Sequence, residues 1–123
     1  MLNPNEVYQR NQVTTARPEE LTLMLYNGGL KFIQHAKRAI DTKDFPKAHT
    51  FIMKAQDIIT ELLVTLNMEY EISHSLQSLY EFMKRKLIEA NMAKDAEILD
   101  EVQNMLVELK NTWAEAMKIT KNS

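Results

Sequence analysis

The stretch from Leu21 to Ile40, LTLMLYNGGLKFIQHAKRAI, constrains the fold more than any other, because its apolar residues cover nearly the whole circumference of a helix. At about 100° per residue, Leu21, Met24, Leu25, Phe32, Ala36, Ala39 and Ile40 share one face with Gly28 and Gly29, while Leu23, Tyr26, Leu30 and Ile33 make a second. Only a narrow sector with Asn27, Lys31, Gln34 and Arg38 is left for water. A helix apolar nearly all round is expected to be surrounded by other elements, so the pattern predicts a central helix. Gly28 and Gly29 are the only two glycines in the chain, and each costs roughly 1 kcal/mol relative to alanine in a helix interior. Their position implies that another backbone lies close by. That leaves two readings, tight packing between helices or a gap kept for an incoming peptide.

The rest of the chain supplies the partners for this helix. Residues 1–17 are polar, with isolated apolar side chains at Leu2, Val7, Tyr8 and Val13 and no sustained period, and are expected to form an irregular N-terminal arm. Pro18 suits the first position of a helix, and Glu19 and Glu20 suit the positive end of its dipole; that helix is expected to end near Asp41. Asp44 is a natural N-cap for a second helix, about Phe45 to Leu66, with an apolar stripe at Ala48, Ile52, Ala55, Ile59, Leu62 and Leu66. A third, about Ile72 to Met92, repeats at Ile72, Leu76, Leu79, Met83, Leu87 and Ala90. Asp95 caps a fourth, about Ala96 to Ile119, which carries Leu99, Val102, Leu106, Leu109, Trp113 and Ala116 on its buried face. No stretch alternates with the two-residue period of a strand. Short links make antiparallel neighbours, so the expectation is an all-α, up-down four-helix bundle over residues 18–119, with a polar tail at 120–123.

Several function classes are excluded by composition. A net charge of −2 offers no global positive field for nucleic acid or an anionic membrane. The run Lys84, Arg85, Lys86 reads as a solvated face, since successive helical residues point about 100° apart. With no cysteine there is no disulfide and no thiolate site. No secretory signal and no membrane span are visible, and the expected location is cytoplasmic. Glu71 and His74 match half of a carboxylate di-iron signature, but the remaining inward-facing ligands have no counterparts. The three histidines, His35, His49 and His74, are dispersed and are expected on partly exposed helix faces. No catalytic group, metal site or cofactor is expected.

What is unusual is an apolar surplus. Beyond the second face of the first helix, Met53, Val64, Phe82, Ile88 and Val107 fall off their stripes, and the chain has eight methionines. Methionine-bearing, adaptable surfaces recur where a protein accommodates a helix or an extended peptide, although single exposed apolar residues are also ordinary.

The run Pro18-Glu-Glu-Leu21-Thr-Leu-Met24-Leu25-Tyr26-Asn27-Gly28 resembles the signature of the flagellar export chaperone family FliS. Tyr8 and Val13 precede it in the matching order. Lys54-Ala55-Gln56-x-Ile58-Ile59-x-Glu61-Leu62, Leu79-Tyr80-x-Phe82-Met83, Leu87-x-x-Ala90-Asn91 and Trp113 follow it. One departure is Arg17, where a capping serine or threonine is expected. The resemblance implies an antiparallel four-helix bundle that binds the disordered C-terminal segment of flagellin, prevents its premature polymerisation and delivers it to the flagellar type III export apparatus, with an export gate protein as a further partner. A helical adaptor for another amphipathic peptide is the alternative. The expected flagellin-binding residues are Tyr8, Val13, Leu23, Tyr26, Leu30, Met53, Val64, Tyr80, Phe82, Ile88 and Val107. The arm is expected either to lie in part of the client groove with Tyr8 as anchor, or to be a fixed cap. Neither nucleic acid binding nor membrane insertion is expected.

Overall fold

The structure, a computed structural model, describes residues 17–122, with side chains through residue 119. Four helices follow in chain order: α1 (Pro18–Asp41), α2 (Phe45–Val64), α3 (Glu71–Ala93) and α4 (Ala96–Asn122). Each packs on its neighbour in sequence, and α4 closes the ring on α1, which makes the all-α, up-down four-helix bundle expected from the apolar repeats. Successive helices are antiparallel, so the start of α1, the end of α2, the start of α3 and the end of α4 share one end of the bundle.

The helix ends follow from local chemistry. Pro18 occupies the first turn of α1, and Arg17 makes no capping bond; instead its guanidinium pairs with Glu20 at 2.8 Å. Asp44 caps α2 by accepting the Lys47 amide at 3.2 Å, and Asp95 accepts the Glu97 amide at 2.9 Å at the start of α4. The two tightest links place non-glycine residues in the left-handed region, Lys43 at φ 59° and Lys94 at φ 51°. Glycine is the usual choice there because it lacks a Cβ. This chain keeps its two glycines in α1 instead.

Those two glycines are spaces for side chains rather than for a neighbouring backbone, which corrects the expectation of close backbone approach. A Cβ on Gly28 would lie 3.4 Å from Ile58 Cδ1, and one on Gly29 would lie 3.2 Å from Leu106 Cδ1 and 3.4 Å from Ile58 Cγ2. Of the two readings, the packing one describes the described residues: α2 and α4 each lean a branched side chain on the glycine step. Nor do the described residues encircle α1. It buries Leu25, Tyr26, Ile33, Ala36 and Ala39 and leaves Asn27, Lys31, Gln34 and Arg38 in water, like any bundle helix, while the flanking Leu23 and Leu30 are half-buried.

Two stripe positions differ from the sequence pattern. At the start of α3, Ile72 is 64% exposed and Ser73 takes the inward position at 4%, where its Oγ donates to the Asn67 carbonyl at 2.6 Å and ties down the α2–α3 link. Near the end of α4, Ala116 is exposed, whereas Ala114 and Met117 are half-buried. The polar tail expected from Thr120 continues the α4 backbone to Asn122, and α2 ends at Val64, ahead of Leu66. Residues 1–16, the bulk of the expected arm and with it the candidates Tyr8 and Val13, lie outside the described residues.

Candidate peptide-binding surface

Three aromatic side chains tie the bundle together at the end where α1 begins. Tyr26 on α1 and Tyr80 on α3 sit across the diagonal with their hydroxyls 2.6 Å apart and rings tilted at 6.5 Å. Trp113 on α4 meets Tyr26 edge-on at 6.3 Å and donates its Nε1–H to the Glu19 carbonyl at 2.8 Å. A buried tyrosine needs a partner for its hydroxyl; here each supplies the other, so both rings enter the core completely. Burial raises both phenols above their ordinary range. Tyr26 and Tyr80 were expected on a binding surface, and the structure corrects this: both are buried and expose no surface to a partner.

The candidates that remain at the surface gather along the seams between helices. At the α1–α4 seam, Lys37 pairs with Asp100 and donates to Gln103 at 3.2 Å, which sets the antiparallel register. Two turns along that register from Lys37 and Asp100, Leu30 comes opposite Val107. Two turns further, Leu23 comes opposite Ala114 and Met117. There the seam opens into a cavity of about 780 Å³ lined by Leu23, Trp113, Ala114, Ala116 and Met117, with Arg17, Glu19, Glu20 and Lys118 around it. Ala114 and Met117 were not among the sequence candidates. Their signal was the step of four from Trp113 to Met117, which continues the α4 repeat as well as Ala116 does.

The other seams carry the rest. Along α2–α3, where Asn91 Nδ2 donates to His49 Nδ1 at 2.9 Å, Met53 stands one turn from His49 and Ile88 one turn from Asn91, both exposed. Gln56, on the same flank of α2, has a buried Oε1 without a hydrogen-bond partner among the described residues. Phe82, half-buried on α3, lies under Arg85 at 5.9 Å and Lys86 at 5.7 Å, and Lys86 reaches Glu89 and, across to α4, Glu101. The basic run is therefore only partly a solvated face, since Lys84 and Lys86 are half-buried. Beside it, Leu79, Met105 and Leu109 floor a second groove of about 510 Å³ between α3 and α4. Val64 stands exposed at the end of α2. The surface candidates thus run round the bundle rather than meeting at one point.

Such a surface offers apolar contact and little else. Among the described residues no group of three or more His, Cys, Asp or Glu side chains converges as metal ligands would, and no helix there is long and apolar enough to cross a membrane.

A family profile described as flagellar protein FliS matches residues 1–120. The chain belongs to the FliS family. Its FliS relatives include the flagellar secretion chaperone FliS of Bacillus subtilis (strain 168), 44% identical over 116 residues that span 94% of this chain and 87% of that one. Another is the flagellar secretion chaperone FliSB of Pseudomonas aeruginosa, 38% identical over 83% of this chain and 82% of its own. A crystal structure titled as a flagellar chaperone from bacteria superposes with a TM-score of 0.78 at 18% identity, covering 94% of this chain and 98% of that one, and so shares the fold. The FliS match begins at residue 1 and takes in the arm with Tyr8 and Val13.

Proposed function

We propose that this FliS-family chain is a cytoplasmic chaperone, without catalytic activity of its own, that binds the disordered C-terminal segment of flagellin. By holding it, the chaperone prevents premature polymerisation and delivers the subunit to the flagellar type III export apparatus, where an export gate protein is the second partner. The observation that carries this reading is the distribution of exposed or half-buried apolar side chains along three seams: Leu23, Leu30 and Val107 on one, Met53 and Ile88 on another, Phe82 on the third. A folded partner docks on one contiguous patch. A disordered segment can wrap, and it accepts the ordering cost in exchange for a long apolar contact. The arm joins the bundle at Arg17, on the rim of the 780 Å³ cavity, and competes with the client for that end of the seam.

Titration calorimetry with purified flagellin segments tests the reading. The C-terminal segment binds with a negative heat-capacity change, as apolar burial requires, and the N-terminal segment does not bind. Preference for the N-terminal segment, or no binding of either by the folded protein, would overturn it.

A further inference from the structure

The outer face of α1 and α2 carries a feature that the client seams leave unused. Residues 28–38 of α1 and 45–56 of α2 pack antiparallel and contain no aspartate or glutamate. On this face Lys31 and Arg38 stand seven residues apart on α1, and Lys47 and Lys54 seven apart on α2, so each pair is separated by about 10 Å along its helix. All four are exposed, and none has a carboxylate within 4.0 Å among the described residues. Between the two rows lies a half-buried aromatic stack. Phe32 and Phe51 are stacked at 6.3 Å, His35 is stacked on Phe51 at 4.9 Å, and Lys54 Nζ sits 5.6 Å from one phenyl centroid and 5.8 Å from the other. The face ends at Asp41 and Asp44 on one side and at Asp57, one turn past Lys54, on the other.

We propose that this frame of four cations around stacked rings docks an acidic amphipathic segment of a partner protein distinct from the export client. The chemistry is complementary on both counts. An apolar side chain of the segment lies on the rings, and carboxylates meet the cations, none of which has a carboxylate partner among the described residues. A spacing of about 10 Å matches carboxylates seven residues apart on a helix or three apart on an extended chain. The cations are held apart rather than clustered, which suits fixed carboxylates better than the closer charge spacing of a nucleic acid backbone. None of the described residues proposed for the client belongs to this frame of cations and rings, so the two sites can be filled together and the inference does not depend on the flagellin reading.

The test uses the full chain and a labelled peptide of about 16 residues with glutamates seven apart flanking a leucine and a phenylalanine. Three controls accompany it: a same-composition peptide with the spacing scrambled, a twin with lysine for glutamate, and a single-stranded oligonucleotide. The designed peptide binds at least about tenfold tighter than the scrambled one, and Lys31→Glu with Lys47→Glu removes that advantage. Both positions are exposed, so the double variant keeps its helical circular dichroism and melting temperature, and its affinity for the flagellin segment is unchanged. Equal binding of designed and scrambled peptides, insensitivity to the charge reversals, or preference for the oligonucleotide would each overturn the proposal. So would a parallel loss of flagellin affinity, because the face would then belong to the client site.

Discussion

The hydroxyls of Tyr26 and Tyr80 lie 2.6 Å apart in the core of the bundle, joining two helices that face each other across its diagonal. Removing one hydroxyl leaves the other buried without a partner, whereas removing both leaves an apolar contact of nearly the same shape. Tyr26→Phe and Tyr80→Phe are each expected to cost about 1–2 kcal/mol, and the double variant less than the sum. Urea denaturation of the three variants measures the coupling.

The same pair sets a pH dependence. Both phenols are raised by burial, so above about pH 10, the ordinary value for tyrosine, the unfolded chain gives up protons that the folded chain keeps. A group raised on folding contributes its stability fully below the unfolded value, and that contribution is lost as pH rises towards the folded value. Stability therefore falls as pH rises above 10, and the double phenylalanine variant falls less steeply. Parallel denaturation curves between pH 8 and about pH 11 check this.

Glycine placement gives a third prediction, with opposite outcomes at different sites. Gly28→Ala meets ordinary van der Waals space at 3.4 Å and gains helix propensity, so it stabilises by about 0.5–1 kcal/mol. Gly29→Ala presses on Leu106 Cδ1 at 3.2 Å and gains less. Conversely, Lys43→Gly relieves a left-handed residue at φ 59° and stabilises by about 1 kcal/mol. Lys94→Gly gains less, because Lys94 Nζ also donates to the Asn91 side chain at 2.8 Å, a bond lost with it. Thermal melts rank the four.

These contrasts show which parts of the fold were legible beforehand. The span of α1 followed from Pro18 and from the loss of period after Ile40, and helix number and order followed from the stripes, because both are local. Which of two adjacent residues turns inward was not local. Ser73 beats Ile72 only because the Asn67 carbonyl is there to receive its hydroxyl. Near the end of α4, Met117 is half-buried and Ala116 exposed, although both line the cavity beside Leu23. Tyr26 was expected at the surface because it falls on the second apolar face of the first helix, and only its meeting with Tyr80 across 54 positions permits full burial of both. Of the candidate site, the off-stripe residues were readable one by one; their grouping into seams depends on interhelical register, which Lys37 with Asp100 and His49 with Asn91 make visible.

Trp113 offers a direct view of one seam. It is the only tryptophan in the chain, it is half-buried, and it lines the cavity beside Leu23. A client segment entering there shifts its emission to the blue, because the ring loses water. Trp113→Phe removes the bond to the Glu19 carbonyl and is expected to cost about 1 kcal/mol without abolishing the fold, as chemical denaturation can establish.

The central claim is that exposed apolar seams hold the client, and titrating the flagellin C-terminal segment into the Leu23→Ser, Leu30→Ser, Val107→Ser triple variant tests it most directly. None of the three is fully buried, so the variant folds with wild-type helicity, verified first by circular dichroism. The account predicts affinity reduced at least about tenfold, since each lost apolar contact is worth on the order of 1 kcal/mol. Wild-type affinity in the folded triple variant would contradict it.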